Sequence, residues 1–226
     1  MAASSLATAN YGPTPQSGAH TEYRGLNPRE LVIERFSSFD QMESDGGIGV
    51  DGAHAMVEIL DSVDKTVPGD YFSTCKPEFV YVAGLWQPNG SGNGKPLISH
   101  HKPVGIAVVE HPFPKTHYLD KIATAKEEQN KGVATRLLSE MEGDCPNLIW
   151  RADPNNEAAC RLYRKIEAKS REHGRWIVFW KGFEHGTGLE RAVEYAASKP
   201  KTLLPYSPLA LPHTGALPSA THLYVK

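Results

Sequence analysis

Gln129-Asn130-Lys131-Gly132-Val133-Ala134 is the stretch on which the fold turns. Before it, His117 to Thr124 (His-Tyr-Leu-Asp-Lys-Ile-Ala-Thr) reads as a strand. After it, Gly132 to Glu142 reads as a helix, with Val133, Leu137, Leu138 and Met141 on one face. A glycine between strand and helix lets successive backbone N–H groups point at one anion. Gly132 permits close approach, the helix N-terminus adds a favourable field, and Lys131 adds charge at the rim. Taken alone, a glycine before a helix is as readily a plain turn. The stretch is neither of the common nucleotide loops, because GxxxxGK[ST] and GxGxxG are both absent. The phosphate reader here has the form Q-x-x-G-x-A.

Working outward, Phe79 to Ala83 and Val104 to Val109 are β-rich, separated by an excursion of about twenty residues with glycines and Pro88. Leu148-Ile149-Trp150 is a short strand, Glu157 to Ile166 a helix, and Trp176 to Trp180 the last obvious strand. Ala53 to Val63 carries Met56, Ile59, Leu60 and Val63 at helical spacing. Asn27 and Pro28 can open a short helix, while Leu31 to Phe36 fits a strand equally well. Asp45 to Gly52 reads as a glycine-rich loop, and Leu189 to Ser198 as a helix. The order β-β-β-α-β-α-β argues an α/β or α+β fold with a mostly antiparallel front and one parallel crossover. Residues 1–27 form a small, polar tail. Residues 28–183 form the domain, and 184–226 add a helix and a proline-rich extension that packs over the core or on a partner chain.

Of the 226 residues, 40% are hydrophobic, enough for a real core, and the net charge of -2 gives no basic field for bulk nucleic-acid binding. No apolar run approaches the ~20 residues that span a bilayer. Met1 to His20 lacks the apolar region of a secretory signal, so a cytoplasmic protein is expected, with a mitochondrial one left open. Cys75, Cys145 and Cys160 are far apart and form no CxxC, so reduced thiols and no metal site are expected. Cys160 lies mid-helix without a supporting His or Asp and reads as a core thiol, not a nucleophile.

Gln129 to Ala134 resembles the Q/R-x-x-G-x-G/A pyrophosphate loop of the GCN5-related N-acetyltransferases (GNAT). Asn156-Glu157-Ala158-Ala159-Cys160-Arg161-Leu162-Tyr163 resembles that family's N-x-x-A-x-x-x-Y pattern, at the expected distance from the first half. A narrower resemblance is to the acetyltransferase domain of N-acetylglutamate synthases. It rests on Tyr118 to Ala123 (Y-L-D-K-[FL]-A), Leu148 to Arg151 (L-F-W-R-S-R), Trp176 to Gly182 (W-x-[VF]-F-W-x-G) and Asp70-Tyr71-Phe72. The match covers roughly residues 31 to 183. The chain is too short to hold also the amino-acid-kinase domain that usually precedes this module. The reading is therefore a stand-alone acetyltransferase module or a relative with an altered substrate.

The resemblance implies a mixed, mostly antiparallel central sheet with two splayed parallel strands and flanking helices. It implies acetyl-CoA bound in the opening, with Ile122, Ala123 and Thr124 on the pantetheine arm. The pyrophosphate would lie on Gln129, Asn130, Lys131, Gly132, Val133 and Ala134. Lys121 and Arg151 match carboxylate-binding residues of the synthases. Asn156 matches a substrate contact and equally suits a helix N-cap. Asp153 stands where the family has a second arginine, which puts glutamate as the acceptor in question. Tyr163 is placed to protonate the CoA sulfur. Glu110, His111, His117 and Asp120 are polar groups near the acceptor side. Among them His117, reckoned to share a strand face with Lys121, and Glu110 are the candidate bases. An acetyltransferase for another amino acid or small amine, and a non-catalytic regulatory module, are the alternatives. A homodimer and an amino-acid-kinase partner stay open.

Overall fold

The computed structural model describes residues 31–39, 52–85, 102–184 and 187–206. The expected N-terminal tail, the loop at 45–51, the excursion after Trp86 and the chain beyond Tyr206 lie outside these residues. Seven strands form one sheet in the order β1-β3-β4-β5-β6-β8-β7. They are β1 (Leu31–Phe36), β3 (Phe79–Leu85), β4 (Pro103–Phe113), β5 (Thr116–Thr124), β6 (Leu148–Ala152), β7 (Lys169–His173) and β8 (Trp176–Lys181). All neighbours are antiparallel except β5 and β6. A separate antiparallel pair joins β2 (Lys65–Thr66) to β9 (Leu204–Pro205).

Helices cover both faces. Helices α3 (Val133–Asp144) and α4 (Glu157–Lys165) bury Val133, Leu137, Leu138, Met141, Cys160 and Tyr163 against Ala107, Val109, Leu119, Trp150 and Phe179. On the other face, α1 (Gly52–Ser62) buries Met56, Ile59 and Leu60 against Val80, Val82, Ile106 and Val108. Helix α5 (Thr187–Ser198) buries Leu189, Ala192, Val193 and Ala196 against Tyr118, Ile149, Val178 and Trp180. Alternate residues of each central strand thus serve different helices, which explains why Val104 to Val109 and Leu148 to Trp150 read as continuous apolar runs. The short helix α2 (Tyr71–Thr74) precedes β3.

Two features differ from the sequence reading. Leu31 to Phe36 is a strand, with Val32 packed on the α1 side and Leu31 and Ile33 on the other. β7 has no apolar residue to reveal it. Lys-Ser-Arg-Glu-His is a mostly exposed edge, held by backbone pairing to β8 and by the ion pair of Arg171 with Glu190 of the helix at Thr187–Ser198, and its charge suits an edge that must not recruit other strands.

β5 and β6 pair only at His117–Leu148 and Tyr118–Ile149. Beyond these residues the two strands run on without pairing, and a V-shaped gap opens toward the start of α3. Helix α3 sits close over the sheet because Gly105 has no side chain: a Cβ there would lie 2.6 Å from Val133 Cγ1 and 3.1 Å from Leu137 Cδ1. Gly105→Ala is expected to lower stability by about 1–3 kcal/mol, measured as a shift of the urea unfolding midpoint at constant slope.

Candidate active site

The gap between β5 and β6 is one wall of a cleft of ≈ 580 Å³. Ala125 N–H bonds to Val104 O on β4. By strand alternation Ala123 also turns its backbone to β4, while Ile122 and Thr124 present N–H and C=O to the open side. Of the three backbone contacts expected on this strand, two face the gap, and Ala123 is turned away from it. At the end of β5 the chain passes a short 3-10 turn, Lys126–Glu128, and enters α3. Asn130 (φ 63) and Gly132 (φ 91) are both left-handed, which turns the backbone toward the helix axis. Gly132 is the N-cap, so the N–H groups of Val133, Ala134 and Thr135 have no intrahelical acceptor. Lys131 pairs with Glu128 at 3.2 Å. The Gln129–Ala134 loop therefore offers backbone N–H donors suited to an anion, and none of its residues is among those that line the cleft.

Register decides which side chains reach the cleft. Val108 opposes Lys121 while Val109 opposes Leu119, so Asp120 is an extra residue in β5, a β-bulge. The bulge shifts Lys121 onto the face of Val108 and away from Leu119. The Lys121 ammonium donates to Asp120 Oδ2 (2.6 Å) and to Thr202 Oγ1, and lies 4.6 Å from the centre of the Tyr71 ring. Tyr71 also donates its hydroxyl to Asp120 Oδ2 (2.7 Å). Burial lowers the pKa of Lys121, against the opposing pull of Asp120. Burial, with Asp120 beside it, raises that of the Tyr71 hydroxyl.

Lys121, Ile122, Arg151, Asp153, Asn156 and Tyr163 all line the one cleft. Arg151 stacks on Trp176 at 4.0 Å and donates to the carbonyls of Ala197 (3.1 Å) and Pro200 (2.6 Å). Asp153 accepts from Asn155 N and Nδ2 and lies 3.5 Å from Lys201. The backbone N–H of Asn155 holds the Asp153 carboxyl below its usual range. Asn156 is the N-cap of α4, accepting from Ala159 N at 3.2 Å. Tyr163 packs against Trp150 and Phe179, and its hydroxyl has no hydrogen-bond partner among the described residues. Burial raises its pKa, so it stays a proton donor at neutral pH.

The two candidate bases do not line the cleft. His117 precedes the bulge, so it shares the face of Leu119 and not that of Lys121. There it stacks on His111 (4.9 Å) and Phe79 (6.2 Å) and sits 3.3 Å from Glu78. Glu78, His111 and His117 have the donor atoms of a metal site, but they lie on the sheet face opposite Lys121. Glu110 is held by Lys199 (2.7 and 2.9 Å) and Tyr195 (2.7 Å), behind Asp120. Burial pushes the Cys75 thiol up to about 11 and Cys145 up to about 12, and raises Cys160, so none is a ready thiolate. The sequence reading missed Lys65, Trp176, Lys201 and Thr202 as cleft residues. Trp176 opens the W-x-[VF]-F-W-x-G stretch but was read as core, and no local motif marks Lys65, Lys201 or Thr202.

Residues 95–199 match the family model of the N-acetyltransferase of N-acetylglutamate synthase. An acetylglutamate kinase of Xylella fastidiosa (strain 9a5c) is 31% identical over 87 residues, 38% of this chain and 20% of that protein. An acetylglutamate kinase of Xanthomonas campestris pv. campestris is 25% identical over 146 residues, 65% of this chain and 31% of that protein. The chain thus spans about a fifth to a third of the curated relatives it matches. Among solved structures, the ribosomal-protein-S18-alanine N-acetyltransferase of Escherichia coli has a TM-score of 0.46 at 14% identity, covering 70% of this chain and 97% of that one. A diaminobutyrate acetyltransferase of Paenibacillus lautus, solved with L-2,4-diaminobutyric acid and coenzyme A, has a TM-score of 0.42 at 15% identity, covering 70% and 98%.

Burial lowers the pKa of His117 below its unfolded value. The unfolded chain then takes the proton first, so this group favours folding above about pH 6.5 and loses that contribution as pH falls through its folded pKa. In His117→Asn, the drop in urea midpoint from about pH 7.5 to about pH 5.5 is expected to be smaller than in the parent.

Proposed function

We propose that this chain is a GCN5-related N-acetyltransferase, similar over residues 95–199 to the N-acetyltransferase of N-acetylglutamate synthase, and that it acetylates the α-amine of glutamate from acetyl-CoA. The observation that carries the acceptor class is the charge of the cleft. Lys65, Lys121, Arg151 and Lys201 line it against only Asp120 and Asp153, an excess of two positive charges. Among the described residues neither Lys65 nor Arg151 is paired with a carboxylate. A dicarboxylic amino acid with its amine deprotonated carries the complementary charge of minus two.

The free edge of β5 supports the cosubstrate reading, with Ile122 and Thr124 for the pantetheine amides and Gln129 to Ala134 for the pyrophosphate. Bound there, acetyl-CoA supplies a thioester carbonyl open to attack by a neutral amine. In this reading the Ile122 N–H polarises that carbonyl. Tyr163, protonated and without a hydrogen-bond partner among the described residues, returns a proton to the departing sulfur. Lys121 and Arg151 hold acceptor carboxylates, Lys121 as a compact charge and Arg151 through the guanidinium edge left free by its carbonyl contacts. Arginine biosynthesis fits this reading, since the relatives of this chain are named for acetylglutamate.

One observation favours a second reading. Asp153 places an anion in the cleft, which suits an acceptor with a second amine, such as a diamino acid or a polyamine.

A thiol-release assay with acetyl-CoA against glutamate, glutamine, aspartate, arginine, lysine and polyamines separates the two. Saturable release with glutamate is expected, and release with diamines alone would overturn the glutamate assignment. Tyr163→Phe is expected to reduce kcat by about 100-fold with KM for acetyl-CoA little changed. An unchanged kcat would remove Tyr163 from the chemistry.

A further inference from the structure

The segment after α5 closes the acceptor side of the cleft. Lys201, Thr202, Leu203 and Pro205 line it, and Lys65 faces them from β2. All five lie outside residues 95–199, the part that matches the family model. The segment is fastened at four points. Arg151 holds the carbonyls of Ala197 and Pro200. Thr202 takes a hydrogen bond from Lys121. β9 pairs with β2, and Tyr206 N–H bonds to Asp64 O at 3.0 Å. Lys201 is therefore set between two anchored neighbours, Pro200 and Thr202, and is not free to leave the rim.

Resting on the acceptor reading above, we propose that Lys201, with Lys65 lining the same cleft, binds the side-chain carboxylate of a dicarboxylic amino-acid acceptor. In that role it sets a cation next to Asp153. The Lys201–Asp153 contact is long, 3.5 Å, and both side chains are more than one-third exposed, so it is a weak pair that an incoming carboxylate can share or displace. Asp153 does not depend on Lys201, because Asn155 supplies two hydrogen bonds to its other oxygen. Lys65 has no carboxylate partner among the described residues. The two lysines reach one cleft only because the two-residue pairing of β2 with β9 draws distant parts of the chain together.

The test compares glutamate with glutamine, which differ only in the group the lysines would read. In the full-length parent, kcat/KM favours glutamate. In Lys201→Gln, KM for glutamate is expected to rise about 10- to 100-fold, so that the preference over glutamine collapses. KM for acetyl-CoA stays unchanged, and Lys201→Arg retains the preference. Lys65→Gln changes KM in the same direction and by less. A parent that prefers glutamate, with Lys201→Gln keeping that preference, overturns the lysine assignment alone. A parent that turns over only acceptors without a second carboxylate overturns the acceptor reading and this inference together. Thermal unfolding of each variant, expected to match the parent, excludes a folding defect as the cause.

Discussion

Asp120 has no partner opposite it on β4, and that unpaired residue reverses the facing of the rest of β5. Before it, His117 and Leu119 look toward α3 and α4. After it, Lys121 looks toward Tyr71 and the α1 side. A regular strand would have put Lys121 under α3, where its charge has no compensation. The bulge also adds local twist, and just before it β5 parts from β6. The open strand edge and the placement of Lys121 thus share one local cause.

A buried ammonium is tolerable only if it is paired and hydrogen-bonded. Asp120, Thr202 and the Tyr71 ring supply that environment from three separate parts of the chain. Behind them Glu110 is neutralised by Lys199 and bonded by Tyr195. Helix α5 and the segment after it therefore do more than cover apolar surface on β6 and β8. They complete the polar interior of the cleft and orient Arg151 through two backbone carbonyls. Residues that resemble the family's motifs and residues beyond the matched range form one network.

The central strands, α1, α3 and α4 were legible because each buries an apolar stripe, and burial imposes a period of two or 3.6 on the sequence. The same logic hid β7, an edge strand with nothing apolar to bury, and left β1 ambiguous, because a strand covered on both faces has no alternation. At the strand–helix junction the turn at Gly132 was legible, because a left-handed glycine there is a local backbone requirement. Tyr163, Arg151, Asp153 and Asn156 came from the resemblance to the family's motifs, and they do converge on the cleft.

His117 was paired with Lys121 by counting residues along the strand. The count failed because a bulge leaves no mark in a single sequence, its cost and gain being set by the neighbouring strand. Lys65, Lys201 and Thr202 lay beyond reach for a similar reason: their position depends on a two-residue pairing between segments far apart in the chain. The sequence by itself determined the central strands and the longer helices, their order, the glycine turn before α3 and the family resemblance, all of which follow from local periodicity and short motifs. The tertiary structure alone decided which side chains share the cleft and how its charges are paired, because strand register and long-range contacts set the distances on which electrostatics depends.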